Sequence, residues 1–151
     1  MTNSFDRDPL ILLHDVARML RTRFDQFART RGLTRAQAII LSRLSRQPGL
    51  SQNEMAAIVE VEPITIARLV DRLQTAGFVE RRADPKDRRI WRLHLTAAAE
   101  PMLTEIKKHK EALRDEIMAG VEPATLDVMV EGLLKLKANL TSDGRTILRA
   151  V

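Results

Sequence analysis

The hydrophobic period of this chain changes in one place only. From Pro9 to Ala76, and again from about Thr96 to Leu140, apolar residues recur every three or four positions, whereas residues 78–95 alternate. That pattern limits the fold to helices interrupted by a single β-hairpin: strands at 78–82 and 88–95, with Trp91, Leu93 and Leu95 on one face, around the turn Ala83-Asp84-Pro85-Lys86-Asp87. On this strand pattern Trp91 is a core residue, and His94, alternating away from it, is exposed. The fold class is mainly α with a small β-hairpin.

The helix boundaries are written in cap chemistry. Pro9 suits a first turn, and Leu10, Leu13, Ala17, Leu20, Phe24 and Phe27 form one stripe up to Gly32. Leu12, Val16 and Met19 form a second, so this helix is expected to be buried from two sides. Thr34-x-x-Gln37 and Ser51-x-x-Glu54 are capping boxes. The first opens a helix with Gln37, Ile40, Leu41 and Leu44 inward, ending at Gln47-Pro48-Gly49. The second opens a short one with Met55, Ile58 and Val59 on a face. Pro63 starts the next helix, whose buried stripe is Ile66, Leu69, Val70 and Leu73 and whose stop is Gly77. Thr96 is read as the cap of a long helix to about Ala119, with Pro101 allowing a start a few residues later. After Gly120, Pro123 opens a last helix carrying Leu126, Met129, Val130, Leu133, Leu136 and Leu140; the tail 141–151 receives no assignment. No internal repeat is present.

Composition removes whole classes of function. With no cysteine there is no disulfide, thiolate metal site or thiol nucleophile, and the three histidines, His14, His94 and His109, are scattered, so no metal site is expected. No Gly-rich phosphate loop and no nucleophile–base–acid pattern supports catalysis or a cofactor. No apolar run reaches a membrane span and Met1–Asp8 does not read as a signal peptide; a soluble cytoplasmic protein is expected, with no membrane partner. The 151 residues suit one domain, and 44% hydrophobic content supplies its core. The positive clue is charge: 25 Lys+Arg against 20 Asp+Glu gives +5 and a pI of about 10.2, which suits a polyanion.

Two short helices joined by a tight turn, followed by a basic hairpin, make a winged helix-turn-helix, in which the second helix enters the DNA major groove and the wing reaches a flanking minor groove. Outward on that second helix stand Pro63, Thr65, Arg68 and Arg72. The hairpin adds Arg81, Arg82, Lys86, Arg88, Arg89 and Arg92 against Glu80, Asp84 and Asp87. An arginine on a narrow tip suits an A·T-rich minor groove.

On these residues the chain resembles the MarR family of bacterial transcriptional regulators. The resemblance is carried by Leu33-Thr34-x-x-Gln37, by Glu62 to Leu73, and by Asp84-x-x-Asp87-Arg88-Arg89 with Leu95-Thr96. The stretch Leu95 to Pro101 and the joint Ile117 to Val121 resemble its SlyA branch. The resemblance implies one domain over 1–151, with dimerisation helices at about 8–31 and 97–140 and the winged helix-turn-helix at about 34–96. It further implies a homodimer on an inverted repeat in double-stranded DNA. Arg68 matches the family's base-reading position and Arg89 the minor-groove arginine, while Arg88 is expected to support the wing by pairing with Asp71 or Asp87. The SlyA branch also implies a pocket for a small aromatic carboxylate whose binding relieves repression. Its matching positions are Arg18, Ala38 and Ser42, with His14 one turn from Arg18. Ala38 stands where many members carry Trp. Two alternatives stay open: a ligand-independent regulator that displaces silencing proteins from A·T-rich promoters, and a winged-helix module for protein–protein contact.

Overall fold

The computed structural model describes residues 7–141; most of the N-terminal segment 1–8 and of the unassigned tail 141–151 lies outside them. The elements run α1 (Pro9–Thr30), α2 (Arg35–Arg46), α3 (Gln52–Val59), α4 (Pro63–Thr75), β1 (Val79–Ala83), β2 (Trp91–Leu95), a 3-10 turn (Ala97–Ala99), α5 (Glu100–Met118) and α6 (Pro123–Thr141).

Both capping boxes form. The Thr34 hydroxyl accepts from the Gln37 N–H at 3.2 Å while the Gln37 amide oxygen accepts from the Thr34 N–H at 2.8 Å. Ser51 and Glu54 do the same at 3.1 and 2.7 Å. Each box satisfies two backbone donors that a helix start would otherwise leave open. Asp8 caps α1, its carboxylate accepting from Leu10 and Ile11. Between α3 and α4 the turn is held by Glu60 in the left-handed region, φ 59°, with the Val61 N–H on the Ala56 carbonyl. That tight turn is what sets α3 and α4 as a helix-turn-helix pair.

The core is built by the residues that the helical stripes single out. Ile40, Leu41 and Leu44 of α2, Met55 of α3, and Ile66, Val70 and Leu73 of α4 are fully buried, joined by Val79 and Leu93 of the hairpin and Ile106 of α5. The hairpin is antiparallel with Val79 opposite Leu95 and Ala83 opposite Trp91. A one-residue bridge between Ser51 and Arg92, with the Gly49 N–H on the Leu93 carbonyl at 2.9 Å and the Leu93 N–H on the Leu50 carbonyl at 2.9 Å, sews β2 onto the start of α3.

Several expectations are corrected. β2 begins at Trp91 rather than Arg88, because residues 84–90 form a closed loop: the Asp84 N–H bonds the Ile90 carbonyl and the Ile90 N–H bonds the Asp87 carbonyl, both at 2.9 Å. Trp91 is 46% exposed, not core. It shares the face of Leu93, but one pleat repeat nearer the tip the strand has passed the edge of the helices beneath it. His94 is half-buried against Gly49, not simply exposed. Thr96 does not cap the following helix; its hydroxyl donates to the Gly77 carbonyl and ties the end of β2 to the end of α4, and α5 proper starts at Glu100 with Pro101 in its first turn.

α1 and α6 sit differently. Only the C-terminal end of α1 packs on the core, through Phe24, Phe27 and Ala28; Phe27 stacks on His109 of α5 with centroids 4.0 Å apart. Leu10, Leu12, Leu13, Val16 and Met19 are exposed in the single chain. α6 has no buried residue. Among the described residues no helix is long and apolar enough to cross a membrane.

Candidate nucleic-acid interface

Subtracting the buried and half-buried residues of α4 leaves Pro63, Ile64, Thr65, Arg68, Asp71, Arg72, Gln74 and Thr75 exposed, with Asp71 and Gln74 engaged by Arg81 of the hairpin. The guanidinium groups of Arg68 and Arg72 make no ion pair with any described residue and stand ready for an outside anion. The sequence reading includes Pro63, Thr65, Arg68 and Arg72 of these. Ile64 falls in neither the outward set nor the buried stripe read from the sequence, although its angular position, one turn before Arg68, already sets it on the outward strip.

The basic hairpin divides into cations that build the wing and cations that are free. Arg81 belongs to the first kind. Its guanidinium donates to the Gln52 amide oxygen of α3 at 3.0 Å, to the Gln74 amide oxygen at 2.9 Å and the Ala67 carbonyl at 3.1 Å on α4, and pairs with Asp71 at 2.7 Å. Arg92 donates to Asp84 at 2.7 Å, to the Gly49 carbonyl at 3.2 Å and to Glu54 at 3.4 Å. Arg82 pairs with Glu80 on its own strand. Arg81 and Arg92 therefore bolt the base of the wing to the helix-turn-helix.

Asp84 organises the tip. Its carboxylate accepts from the Lys86 N–H at 2.7 Å, the Asp87 N–H at 3.2 Å and Arg92 at 2.7 Å. The Arg92 hydrogen bond first, and the Lys86 N–H second, hold its carboxyl below the usual carboxylate range. Arg89 leans on Asp87, with paired contacts at 3.0 Å, yet its side chain is 91% exposed. Lys86 and Arg88 are exposed and make no ion pair among the described residues. The expected partnership of Arg88 is corrected on both counts: Asp71 is taken by Arg81 and Asp87 by Arg89. Arg81 comes from the strand face directed at α4, so it reaches Asp71, whereas Arg88 sits on the tip.

The four pocket positions are not brought together within one chain. Ala38 is fully buried in the core, and His14 and Arg18 are exposed on α1, where Arg18 pairs with Asp15 at 3.2 Å. Ser42 lines an open cleft of about 640 Å³ between α2 and α5, together with Arg46, Lys107 and Lys110. The Lys110 ammonium lies 3.3 Å from the Ser42 hydroxyl. Burial first, and the nearby Arg46 second, push Lys110 below the ordinary lysine range.

Comparison with known proteins converges. Residues 31–90 match the model of the MarR family. The crystal structure of the transcriptional regulator PA3341 is 31% identical, covering 87% of this chain and 96% of that one, with a TM-score of 0.76. That of MarR is 28% identical over 94% of this chain and 96% of its own, with a TM-score of 0.78. SlyA, 24% identical over 90% of this chain and 96% of its own with a TM-score of 0.76, shares the fold.

Proposed function

This chain belongs to the MarR family, a family of transcriptional regulators rather than enzymes, and we propose that it is a cytoplasmic, sequence-specific DNA-binding repressor acting as a homodimer on an inverted repeat. The observation that carries the reading is the division of the cations. Arg81, Arg82 and Arg92 are consumed by internal partners, while Arg68, Arg72, Lys86 and Arg88 have none among the described residues, and Arg89 is held outward on its aspartate. A protein-binding module has no need to keep guanidinium groups unpaired on a groove-sized helix. A duplex does, because arginine reads guanine in the major groove and the potential of a narrow minor groove attracts arginine.

Dimerisation is supported by the terminal helices, 8–31 and 97–140, flanking the winged lobe at 34–96. Val128, Met129, Val130, Leu133, Leu134, Leu136 and Leu140 of α6 are exposed on more than one face, alongside Ile117 of α5 and the apolar stripes of α1. Apolar surface on this scale marks an interface, and a second copy offers the matching surface. Half-site centres roughly 10 bp apart follow from one recognition helix per chain. Selecting binding sites from random duplexes, with light scattering on the free protein, tests both parts. A palindromic site and a dimer are expected; a stable monomer at micromolar concentration overturns the symmetry.

A SlyA-like response to a small aromatic carboxylate is a finer reading, favoured by the cleft at Ser42. There Lys110 and Arg46 offer charge that a carboxylate would pair with, at the junction of the winged lobe and α5. His14 and Arg18, exposed on α1, enter this reading only through the approach of a second copy, whereas Ala38 is buried in the core of its own chain. A DNA titration with and without a hydroxybenzoate tests it: wild type should release DNA with the ligand and Lys110→Met should not.

A further inference from the structure

The outward side of α4 carries one side chain that charge does not explain. Ile64 is 62% exposed, whereas Ile66, Leu69, Val70 and Leu73 on the same helix are buried or half-buried. Most other exposed large apolar residues lie on α1, the end of α5 and α6, with Ile90 and Trp91 on the hairpin, so Ile64 is no part of those apolar faces. An isolated exposed isoleucine is ordinary on a protein surface. Its position is what singles it out. It stands in the first turn of α4, one turn before the unpaired Arg68 and next to Thr65, at the helix end that contacts base edges in a helix-turn-helix.

A β-branched side chain in a helix has one strongly preferred χ1 rotamer, so Ile64 presents its branched Cβ and methyl in a nearly fixed direction. The major groove offers one apolar feature, the C5 methyl of thymine. Against the cytosine amine or guanine O6 the same side chain would strip water from a polar group and give no hydrogen bond in return. We propose that Ile64 is a specificity-determining residue that reads a thymine methyl beside the base read by Arg68. The inference rests on the assignment of α4 as the DNA-reading helix.

The test uses the full-length protein and a duplex recovered by site selection, with each thymine replaced in turn by uracil, which removes only the methyl. One thymine per half-site should weaken binding about fourfold on replacement, the value of one buried methyl, and about fifteenfold when both half-sites are changed. Ile64→Ala should lose a similar factor on the thymine duplex and show no further loss on the uracil duplex, the signature of coupling in a double-mutant cycle. Ile64→Val should keep most of the effect. Because Ile64 is exposed, unchanged thermal melts are expected for both variants. Losses from Ile64→Ala and from uracil that multiply independently at every thymine overturn the inference. Arg68→Ala, run in parallel, separates the two levels. If it loses affinity while the Ile64 cycle is additive, Ile64 is no reader and α4 still is; if it is indifferent, the assignment of α4 falls and the inference with it.

Discussion

Replacing Arg81 with methionine isolates the structural share of the basic hairpin. The change keeps most of the aliphatic stem and removes the guanidinium with its four partners. The Asp71 contact contributes at most about 1 kcal/mol, because Asp71 is 64% exposed and a surface pair is screened. Gln74 is exposed and exchanges its bond for water. The bonds to Gln52 and the Ala67 carbonyl are partly buried and charge-assisted, a class that contributes about 1.5–3 kcal/mol each before water re-enters. The Ala67 carbonyl keeps its place in the helix ladder, so the net loss is about 2–3 kcal/mol. For a chain of this length each kcal/mol moves Tm by ~2–4 °C, giving a fall of roughly 4–12 °C. Thermal and urea denaturation followed by circular dichroism, at one fixed protein concentration, measure it. In folded Arg81→Met protein, DNA affinity should fall less than in Arg68→Ala. An unchanged Tm with a loss of DNA affinity equal to that of Arg68→Ala would refute the reasoning, since Arg81 would then be a reader and not a bolt.

Arg68→Ala should cost ~1–3 kcal/mol of DNA affinity, concentrated at one base pair per half-site, with no change in melting. Arg89→Ala should weaken binding most on A·T-rich flanks, and titrations on duplexes with altered cores or altered flanks separate the two. Asp84→Ala should mimic Arg89→Ala on those flanks by releasing the tip. Because the Asp84 carboxyl is depressed in the folded chain, its stabilisation is complete above the ordinary carboxylate pKa and lost only as pH falls through the lower folded value; flank discrimination should therefore be constant between pH 5 and 8. His109 is held below the ordinary histidine range, chiefly by burial and then by Arg23, and its Nε2 has no partner among the described residues. The unfolded chain then takes up the proton first as pH falls through about 6.5, so stability declines from pH 7 toward 5. His109→Phe, which preserves the stack on Phe27, should flatten that slope in urea melts; an unaltered slope assigns it to His94, which burial shifts in the same direction.

What could be read in advance follows from how far each interaction reaches along the chain. Capping boxes span three residues, so Thr34–Gln37 and Ser51–Glu54 were legible outright. The buried stripes of α2 and α4 were legible because helical periodicity is local. Which of Arg81, Arg88 and Arg89 takes Asp71 and Asp87 was not: it depends on which strand face meets α4 and on how a loop of seven residues closes around Asp84. Trp91 failed for a related reason, since alternation tells which face a residue shares but not where the underlying helices stop. Thr96 shows the cost of local reasoning most plainly: a residue type that normally caps a helix instead spends its hydroxyl on Gly77, 19 positions earlier. Ile64 was legible too, because its helical angle sets it beside Arg68, yet it stands in neither the buried stripe nor the outward set read from the sequence.

The stitching of β2 to the start of α3 fixes a ruler. Arg92 and the Ser51 bridge join the wing to α3, Arg81 joins it to α4, and Thr96 closes the far end. The backbone span from Arg68 on α4 to Arg89 on the tip is thereby set by the lobe rather than adjustable. If the lobe reads DNA, the number of base pairs between core and flank is set by the protein. A site with one base pair inserted there is rotated by about a tenth of a turn and loses one contact to keep the other. Variation among natural sites would then fall in the gap between half-sites, where the geometry belongs to the terminal helices, and never within a half-site.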